Sequence, residues 1–194
     1  MPRTFGDSFL HVDRLTHLVE TTMPLLESVP AETDEVSQQI GINVAKLVDN
    51  GATLQVGGGR IPNAVLQALG DRRDLGIHTE FFSDGLLDLI ESGAVTGARK
   101  EFLPGKIVTS FCKGTNRLYR FVHDNPLVEF HPSDLVNDPF RIAQNPKMVA
   151  INSAIEVDLN YHEVLDAVNK SGFSRIPVYK DTLDHIQGIL YTKD

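Results

Sequence analysis

Two short features in the first half of the sequence contain residue types that could do chemistry. The first is the glycine run Gly57, Gly58 and Gly59, which follows the apolar stretch Thr53–Val56 and precedes a helical pattern. Backbone N–H groups at such a turn approach a ligand closely, and the positive end of the helix dipole favours a phosphate or an oxyanion there. A tight turn without a ligand explains the run equally well. Three glycines are a weak motif, and neither the Rossmann nor the P-loop spacing is present.

The second feature is Glu80, near the end of the predicted strand Gly76–Phe82. Alternation along a strand places His78 and Glu80 on one face. A carboxylate at an apolar strand end can act as a nucleophile or a general base, but taken alone it is more often a solvated strand end. His78 by itself is more often a hydrogen-bonded structural group than a catalyst.

The composition limits the classes of protein that the sequence can encode. Its 194 residues suffice for one domain, or one domain plus a fragment. The net charge of −8 argues against a nucleic-acid partner, which usually requires a basic patch. The single Cys112 excludes an internal disulfide and offers no cysteine cluster for a metal. No apolar run has the length of a membrane helix, and residues 1–14 do not form a signal peptide, so we predict a cytoplasmic protein without a membrane partner.

Helix and strand patterns alternate between residues 34 and 130. This alternation predicts an α/β fold with an open, mostly parallel sheet and flanking helices. In such sheets ligands bind beyond the carboxyl ends of the strands, where both the glycine run and Glu80 lie. Outside this region we predict a short strand at residues 9–12, a long loop at 131–147 and a pair of strands within 148–159.

Six stretches of the sequence occur in a familiar order. They are GATLQVGGGRIPNAVLQAL, LGIHTEFFSDG, PGKIVTSFCKGT, LYRFVHDNP, VNDPFRIAQN and MVAINSAIEVDL. Together they resemble the acetyl-CoA hydrolase/transferase family, which includes the 4-hydroxybutyrate and butyrate:acetate CoA-transferases, over about residues 8–159. The resemblance implies two similar open α/β domains with the active site between them. Residues 1–159 would then be the first part of the C-terminal domain.

The resemblance also implies which residues form the site. The family's catalytic glutamate corresponds to Glu80, which would attack an acyl-CoA and form a glutamyl-CoA thioester. A small carboxylate then reverses these steps and takes up the CoA, whereas water would give hydrolysis; CoA is a substrate, and no cofactor is permanently bound. The oxyanion and CoA-binding motif corresponds to Val56, Gly57, Gly58, Gly59 and Pro62. This motif usually reads GIGGIP but here reads GGGRIP, so we expect Arg60 to crowd the turn.

The residues after Leu159 have a different character. Residues 160–194 resemble part of a cystathionine-β-synthase-type (CBS) domain, as found in hemolysin-like magnesium-efflux proteins. Their apolar pattern predicts a helix followed by a hairpin. Pairs of such repeats can bind adenosine nucleotides, and Asp194 corresponds to the ribose-binding aspartate of the family pattern. A helix and hairpin without a ligand is the favoured interpretation, because Tyr191 stands where the pattern has threonine. The exposed sheet edge of such a tail would favour a homo-oligomer or aggregation.

Three functions remain open on the sequence alone. The first is an acyl-CoA:carboxylate CoA-transferase or acyl-CoA hydrolase acting through Glu80. The second is a regulatory module that binds adenine nucleotides or CoA, in a truncated or chimeric chain. The third is a folded chain without catalytic activity. The latter two gain weight because the family's first domain and its later SGxGGQ segment have no counterpart among the 194 residues.

Overall fold

The computed structural model describes residues 1–30, 32–154, 175–179 and 186–191. The chain forms two compact units, Met1–Asn152 and Ser153–Asp194. Among the described residues, no helix is long and apolar enough to cross a membrane.

The first unit is built from short strands and short helices. Its strands are β1 (Phe5–Gly6), β2 (Thr53–Val56), β3 (Gly76–Ile77), β4 (Phe81–Phe82), β5 (Ile107–Thr109), β6 (Phe111–Cys112), β7 (Val128–Phe130) and β8 (Met148–Ile151). Its helices are α1 (Glu35–Ala45), α2 (Arg60–Gln67), α3 (Asp84–Glu91), α4 (Asn116–Val122), α5 (Ser133–Val136) and α6 (Pro139–Ala143), preceded by a 3₁₀ turn at Val12–Arg14.

Every strand pairing described in the first unit is parallel. Strand β2 lies between β3 and β8, strand β7 lies between β5 and β1, and β4 pairs with β6. A single bridge between His78 and Val108 joins the β3 group to the β5 group. The resulting order is β8-β2-β3-β5-β7-β1, which confirms the predicted parallel α/β architecture.

The core lies between this sheet and helices α2, α3 and α4. One continuous cluster of buried apolar side chains contains strand residues Leu54, Val56, Ile77, Ile107 and Val128 and helix residues Val65, Leu66, Leu86, Leu87, Leu89, Leu118 and Val122. Burying each of these side chains contributes about 1.5–3 kcal/mol, so this interface holds the strand ends in place.

Helix α1 extends the helical layer by packing closely on α2. Its N-cap is Asp34, whose Oδ1 accepts the N–H of Ser37 at 2.8 Å. Gly41 lies so close to Ala64 that a Cβ added to it would be 2.6 Å from the Ala64 carbonyl oxygen. The absence of a side chain at Gly41 therefore sets the distance between the two helices.

Three local predictions were wrong. Residues 9–12 form no strand; the first strand is β1, and the 3₁₀ turn follows it. Residues 131–147 contain α5 and α6, because Asp138 caps α6 through the N–H of Phe140 and Pro139 fits its first turn. The predicted strand Gly76–Phe82 is divided into β3 and β4, and Glu80 lies in the break.

The second unit is described only at two strands. Strands β9 (Arg175–Tyr179) and β10 (Ile186–Tyr191) pair antiparallel, with Tyr179 opposite Ile186, as the predicted hairpin requires. The predicted helix after residue 160, the junction near Leu159 and the candidate ligand Asp194 lie outside the described residues.

Candidate functional site

The two features singled out from the sequence lie side by side at the carboxyl edge of the sheet. Gly57, Gly58 and Gly59 connect β2 to α2, and Glu80 lies between β3 and β4 on the neighbouring strand. A ligand at this edge would meet both elements, as the general rule for open parallel sheets predicts.

The hydroxyl of Thr79 joins these two elements. Its Oγ1 accepts the N–H of Val56 at 3.0 Å. The same oxygen lies 3.0 Å from the Val56 carbonyl and 3.3 Å from that of Phe81, so its single hydrogen is donated to one of the two. Thr79 is fully buried, and these bonds therefore replace regular ladder pairing at the point where β2 ends.

The backbone of Glu80 is fixed from the other side. Its carbonyl accepts the N–H groups of Ser110 and Phe111 at 3.1 and 3.0 Å and the hydroxyl of Thr109 at 3.1 Å. The Glu80 side chain is partly buried, and within the described residues its carboxylate makes no hydrogen bond or ion pair. A fixed backbone with an unengaged carboxylate suits a group that acts on a ligand.

The glycine turn divides its N–H groups between the fold and the exterior. Val56 donates to Thr79, and Gly57 donates to the Ile151 carbonyl at 2.9 Å. In the described part of the chain, Gly58 and Gly59 have no intramolecular acceptor for their N–H groups. Gly59 has φ +126°, a conformation that favours glycine, and precedes α2. Pro62 is buried in the first turn of α2 and has no N–H to offer.

Side chains from two other parts of the chain lie close to Gly57 and Gly58. A Cβ added to Gly58 would lie 3.1 Å from a ring carbon of Phe81, and one added to Gly57 would lie 2.5 Å from Oδ1 of Asn152. Asn152 follows β8 and exchanges side-chain hydrogen bonds with Gln55 at 2.8 and 3.3 Å. The turn is thus enclosed between the residue after Glu80 and the residue after β8.

Arg60, which replaces a glycine of the family motif, forms an ion pair with Asp34. The guanidinium lies 2.7 Å from Oδ2 of Asp34, and both side chains are about half exposed. Hydrogen bonds from Ser37 to its carboxylate, with a smaller contribution from Arg60, lower the pKa of Asp34. Arg60 therefore links the start of α2 to the cap of α1.

His78 lies on the buried side of the Glu80 strand. Its Nε2 is 2.8 Å from the Val136 carbonyl oxygen, and its Nδ1 is 3.3 Å from the side-chain nitrogen of Asn145. A neutral ring that donates from Nε2 and accepts at Nδ1 satisfies both contacts, and burial lowers the pKa of His78. This agrees with the structural interpretation of His78.

Two buried charged groups near the site were not predicted from the sequence. Lys100, only 3% exposed, donates to the carbonyls of Ile77 at 3.0 Å and Lys106 at 2.7 Å. Asp84, 7% exposed, accepts the N–H and hydroxyl of Thr115 at 2.9 and 2.6 Å. No local pattern in the sequence marks Lys100 as buried.

Comparison with protein families relates the chain to CoA enzymes. The model of the acetyl-CoA hydrolase/transferase C-terminal domain matches residues 114–187. The chain is 43% identical over 193 residues to 4-hydroxybutyrate coenzyme A transferase of Clostridium kluyveri. It is 45% identical over 158 residues to succinyl-CoA:cyclohexane-1-carboxylate CoA transferase of Geobacter metallireducens. These alignments cover 100% and 81% of the chain, but only 44% and 36% of the relatives.

Solved structures give the same result. A 4-hydroxybutyrate CoA-transferase from Porphyromonas gingivalis superposes with a TM-score of 0.79 at 44% identity, covering 82% of this chain and 41% of that one. RipA from Yersinia pestis superposes with a TM-score of 0.78 at 41% identity, covering 82% of this chain and 36% of that one. The chain is therefore a homologue of CoA-transferases that spans less than half of their length.

A shorter alignment relates the chain to a protein of a different kind. Over 40 residues the chain is 50% identical to Hemolysin C of Brachyspira hyodysenteriae. This alignment covers 21% of this chain and 15% of that protein. The acetyl-CoA hydrolase/transferase model, however, extends to residue 187 and so includes most of the tail, and the CBS resemblance of residues 160–194 stays a prediction.

Proposed function

We propose that this chain carries the catalytic glutamate of an acyl-CoA:carboxylate CoA-transferase. The observation that carries the proposal is the hydrogen-bonded connection between the Glu80 strand and the glycine turn through Thr79. It occurs in a chain 43–45% identical to proteins named as CoA-transferases.

The reaction uses Glu80 as a covalent nucleophile. A carboxylate oxygen of Glu80 attacks the carbonyl carbon of the acyl-CoA, and the carbon–sulfur bond breaks. This step gives an acyl-glutamyl anhydride and a CoA thiolate. The thiolate then attacks the glutamyl carbonyl carbon, releases the first acid as a carboxylate and leaves a glutamyl-CoA thioester. A second carboxylate reverses these steps, so that a new acyl-CoA forms and Glu80 is regenerated.

The glycine turn stabilises the negative charge that develops on the attacked carbonyl oxygen. The N–H groups of Gly58 and Gly59 supply hydrogen bonds, and the start of α2 supplies a partial positive charge. One such donor contributes about 3 kcal/mol to transition-state stabilisation. Val56, Gly57 and Pro62 act by shaping the turn, since the first two N–H groups are already bonded and proline has none.

Water in place of the second carboxylate would make the same site a hydrolase. The acetyl-CoA hydrolase of Yarrowia lipolytica is 28% identical over 180 residues, below the 43–45% of the transferases named above. This difference favours transfer to a carboxylate.

Intact-mass spectrometry after incubation with acetyl-CoA tests the proposal. We expect a CoA-sized adduct on the parent chain that hydroxylamine removes, and peptide mapping should place it on Glu80. Glu80→Gln should abolish it, whereas Glu101→Gln, at an exposed glutamate, should keep it.

An adduct that persists in Glu80→Gln would refute the assignment of the nucleophile. No adduct on the parent would refute catalysis by this chain alone. Thermal stabilisation by ATP or CoA that survives Glu80→Gln would then favour the alternative of a binding or regulatory module.

A further inference from the structure

Two buried threonines bracket Glu80. Thr79 directly precedes it and Thr109 ends β5 on the adjacent strand, and both are 0% exposed. The Thr79 hydroxyl accepts the Val56 N–H, and the Thr109 hydroxyl donates to the Glu80 carbonyl. One hydroxyl thus joins the glutamate's strand to the glycine turn, and the other joins it to the next strand.

We propose that Thr79 and Thr109, here called the threonine pair, are positioning residues for Glu80. The inference rests on the proposed function and goes beyond it, since both threonines are fully buried and their hydroxyls bond only to backbone groups. Both act through the backbone: Thr79 sets the glycine turn relative to the Glu80 strand, and Thr109 fixes the Glu80 peptide. A nucleophile displaced by about 1 Å can lose on the order of a hundredfold in rate, so such bonds have a large effect on reaction.

The break between β3 and β4 explains why side-chain hydroxyls are needed. Strand β3 ends at Ile77 on one side of Glu80 and β4 begins at Phe81 on the other, with the single bridge from His78 to Val108 between them. Thr109 repeats the arrangement of Thr79, because its Oγ1 also lies 3.4 Å from the carbonyl oxygen of the residue two positions onward, Phe111. The threonine pair thus holds two adjacent strands where both depart from the ladder.

Valine and serine substitutions separate the hydroxyl from the shape of the side chain. Thr79→Val and Thr109→Val keep the volume but remove the bonds, whereas Thr79→Ser and Thr109→Ser keep the hydroxyl. The readout is the rate of CoA-adduct formation as acetyl-CoA is increased. We expect each valine variant to lower the maximal rate about tenfold or more and to change the half-saturating concentration less than about threefold. Each serine variant should stay within about threefold of the parent.

Thr53→Val is the matched control. Thr53 lies on β2, is 0% exposed, and its hydroxyl has no hydrogen-bond partner in the described part of the chain. Its replacement should leave the adduct rate unchanged. A parent-like rate in both Thr79→Val and Thr109→Val, or an equal loss in Thr53→Val, would overturn the positioning role.

Amide exchange separates this inference from the proposed function. In Thr79→Val we expect the Val56 N–H to exchange about tenfold faster than in the parent, with protection retained in Thr79→Ser. This measurement needs no acyl-CoA. Parent-like exchange in Thr79→Val would show that Thr79 does not hold the glycine turn to the Glu80 strand, whether or not Glu80 reacts with acetyl-CoA. A parent that forms no adduct would instead overturn the proposed function, and with it the catalytic meaning of the threonine pair.

Discussion

Lys100 shows how a single buried group makes stability depend on pH. Burial lowers the pKa of Lys100 from 10.5 to about 8, although its ammonium donates to two carbonyls of the fold. Between these values the unfolded chain binds a proton that the folded chain has lost. The free energy of unfolding should therefore rise as pH increases from about 8 to about 10.5, by about 3 kcal/mol at most.

Replacement of the lysine should remove this pH dependence. Urea unfolding of Lys100→Met at several pH values should give a shallower slope of unfolding free energy against pH than the parent, while the exposed Lys46→Met should keep the parent's slope. The comparison of slopes matters, because Lys100→Met also deprives two carbonyls of a donor and lowers stability at every pH. Equal slopes in parent and Lys100→Met would contradict the prediction.

At this scale the sequence predicted the candidate chemistry but not its supports. Glu80 and the glycines stood out because their types and spacing are local features. His78 has its role from Val136 and Asn145, which are far along the chain, and no periodicity in its neighbourhood indicates those contacts. Lys100 likewise bonds to the carbonyl of Ile77 on another element. The importance of Thr79 was hidden for the same reason, since its hydroxyl bonds to another strand.

At the scale of elements, the contact between α1 and α2 depends on Gly41. Gly41→Ala would gain about 0.5–1 kcal/mol from helix propensity. However, its Cβ would lie 2.6 Å from backbone atoms of Ala64, which cannot move aside as a side-chain end could. We expect the overlap to prevail and to lower the unfolding free energy by about 1–3 kcal/mol.

Gly70→Ala is the matched comparison for Gly41→Ala. Nothing lies within 4 Å of a Cβ added to Gly70, so its replacement should change stability by less than about 0.5 kcal/mol. Denaturant titration followed by circular dichroism measures both variants. A neutral Gly41→Ala would show that the helices separate at little cost and would refute the close-packing argument.

The elements themselves were predictable to different degrees. Strand β2 coincides with the apolar stretch Thr53–Val56 that precedes the glycine run. Helices α5 and α6 were missed because residues 131–147 are rich in Pro, Asn and Asp, which are loop formers but also start helices. The break at Glu80 could not be seen, since it depends on Thr109 and Ser110 of another strand.

At the scale of the whole molecule, sequence patterns predicted a parallel sheet but not its order. Strand β8 follows all the other strands of the first unit yet pairs with β2. That pairing brings Asn152 to the glycine turn, so the enclosure of the turn by Asn152 depends on a long-range contact. Strand order arises from the packing of helices on one sheet, which local periodicity does not encode.

The segment before α1 provides a test of this organisation. Leu18, Val19 and Met23 are 87%, 82% and 78% exposed, and among the described residues, residues 16–24 make no hydrogen bond between two backbone groups. Phe140 is equally exposed at 82%, but it lies within α6. A protease must bind an extended backbone, so exposure alone does not make a bond cleavable.

Limited thermolysin digestion distinguishes backbone pairing from exposure. Cleavage next to Leu18, Val19 or Met23 should precede any cleavage within residues 35–152, and mass spectrometry of early time points identifies the first cut in that range. Phe140→Ala should leave the order of cleavage unchanged, because Phe140 is protected by its helix. A first cut at Phe140 would contradict the prediction. It would show that α6 unfolds locally more often than residues 16–24 bind to the protease in an extended form. The return path from β7 to β8, on which the position of Asn152 depends, would then be the weakest part of the first unit.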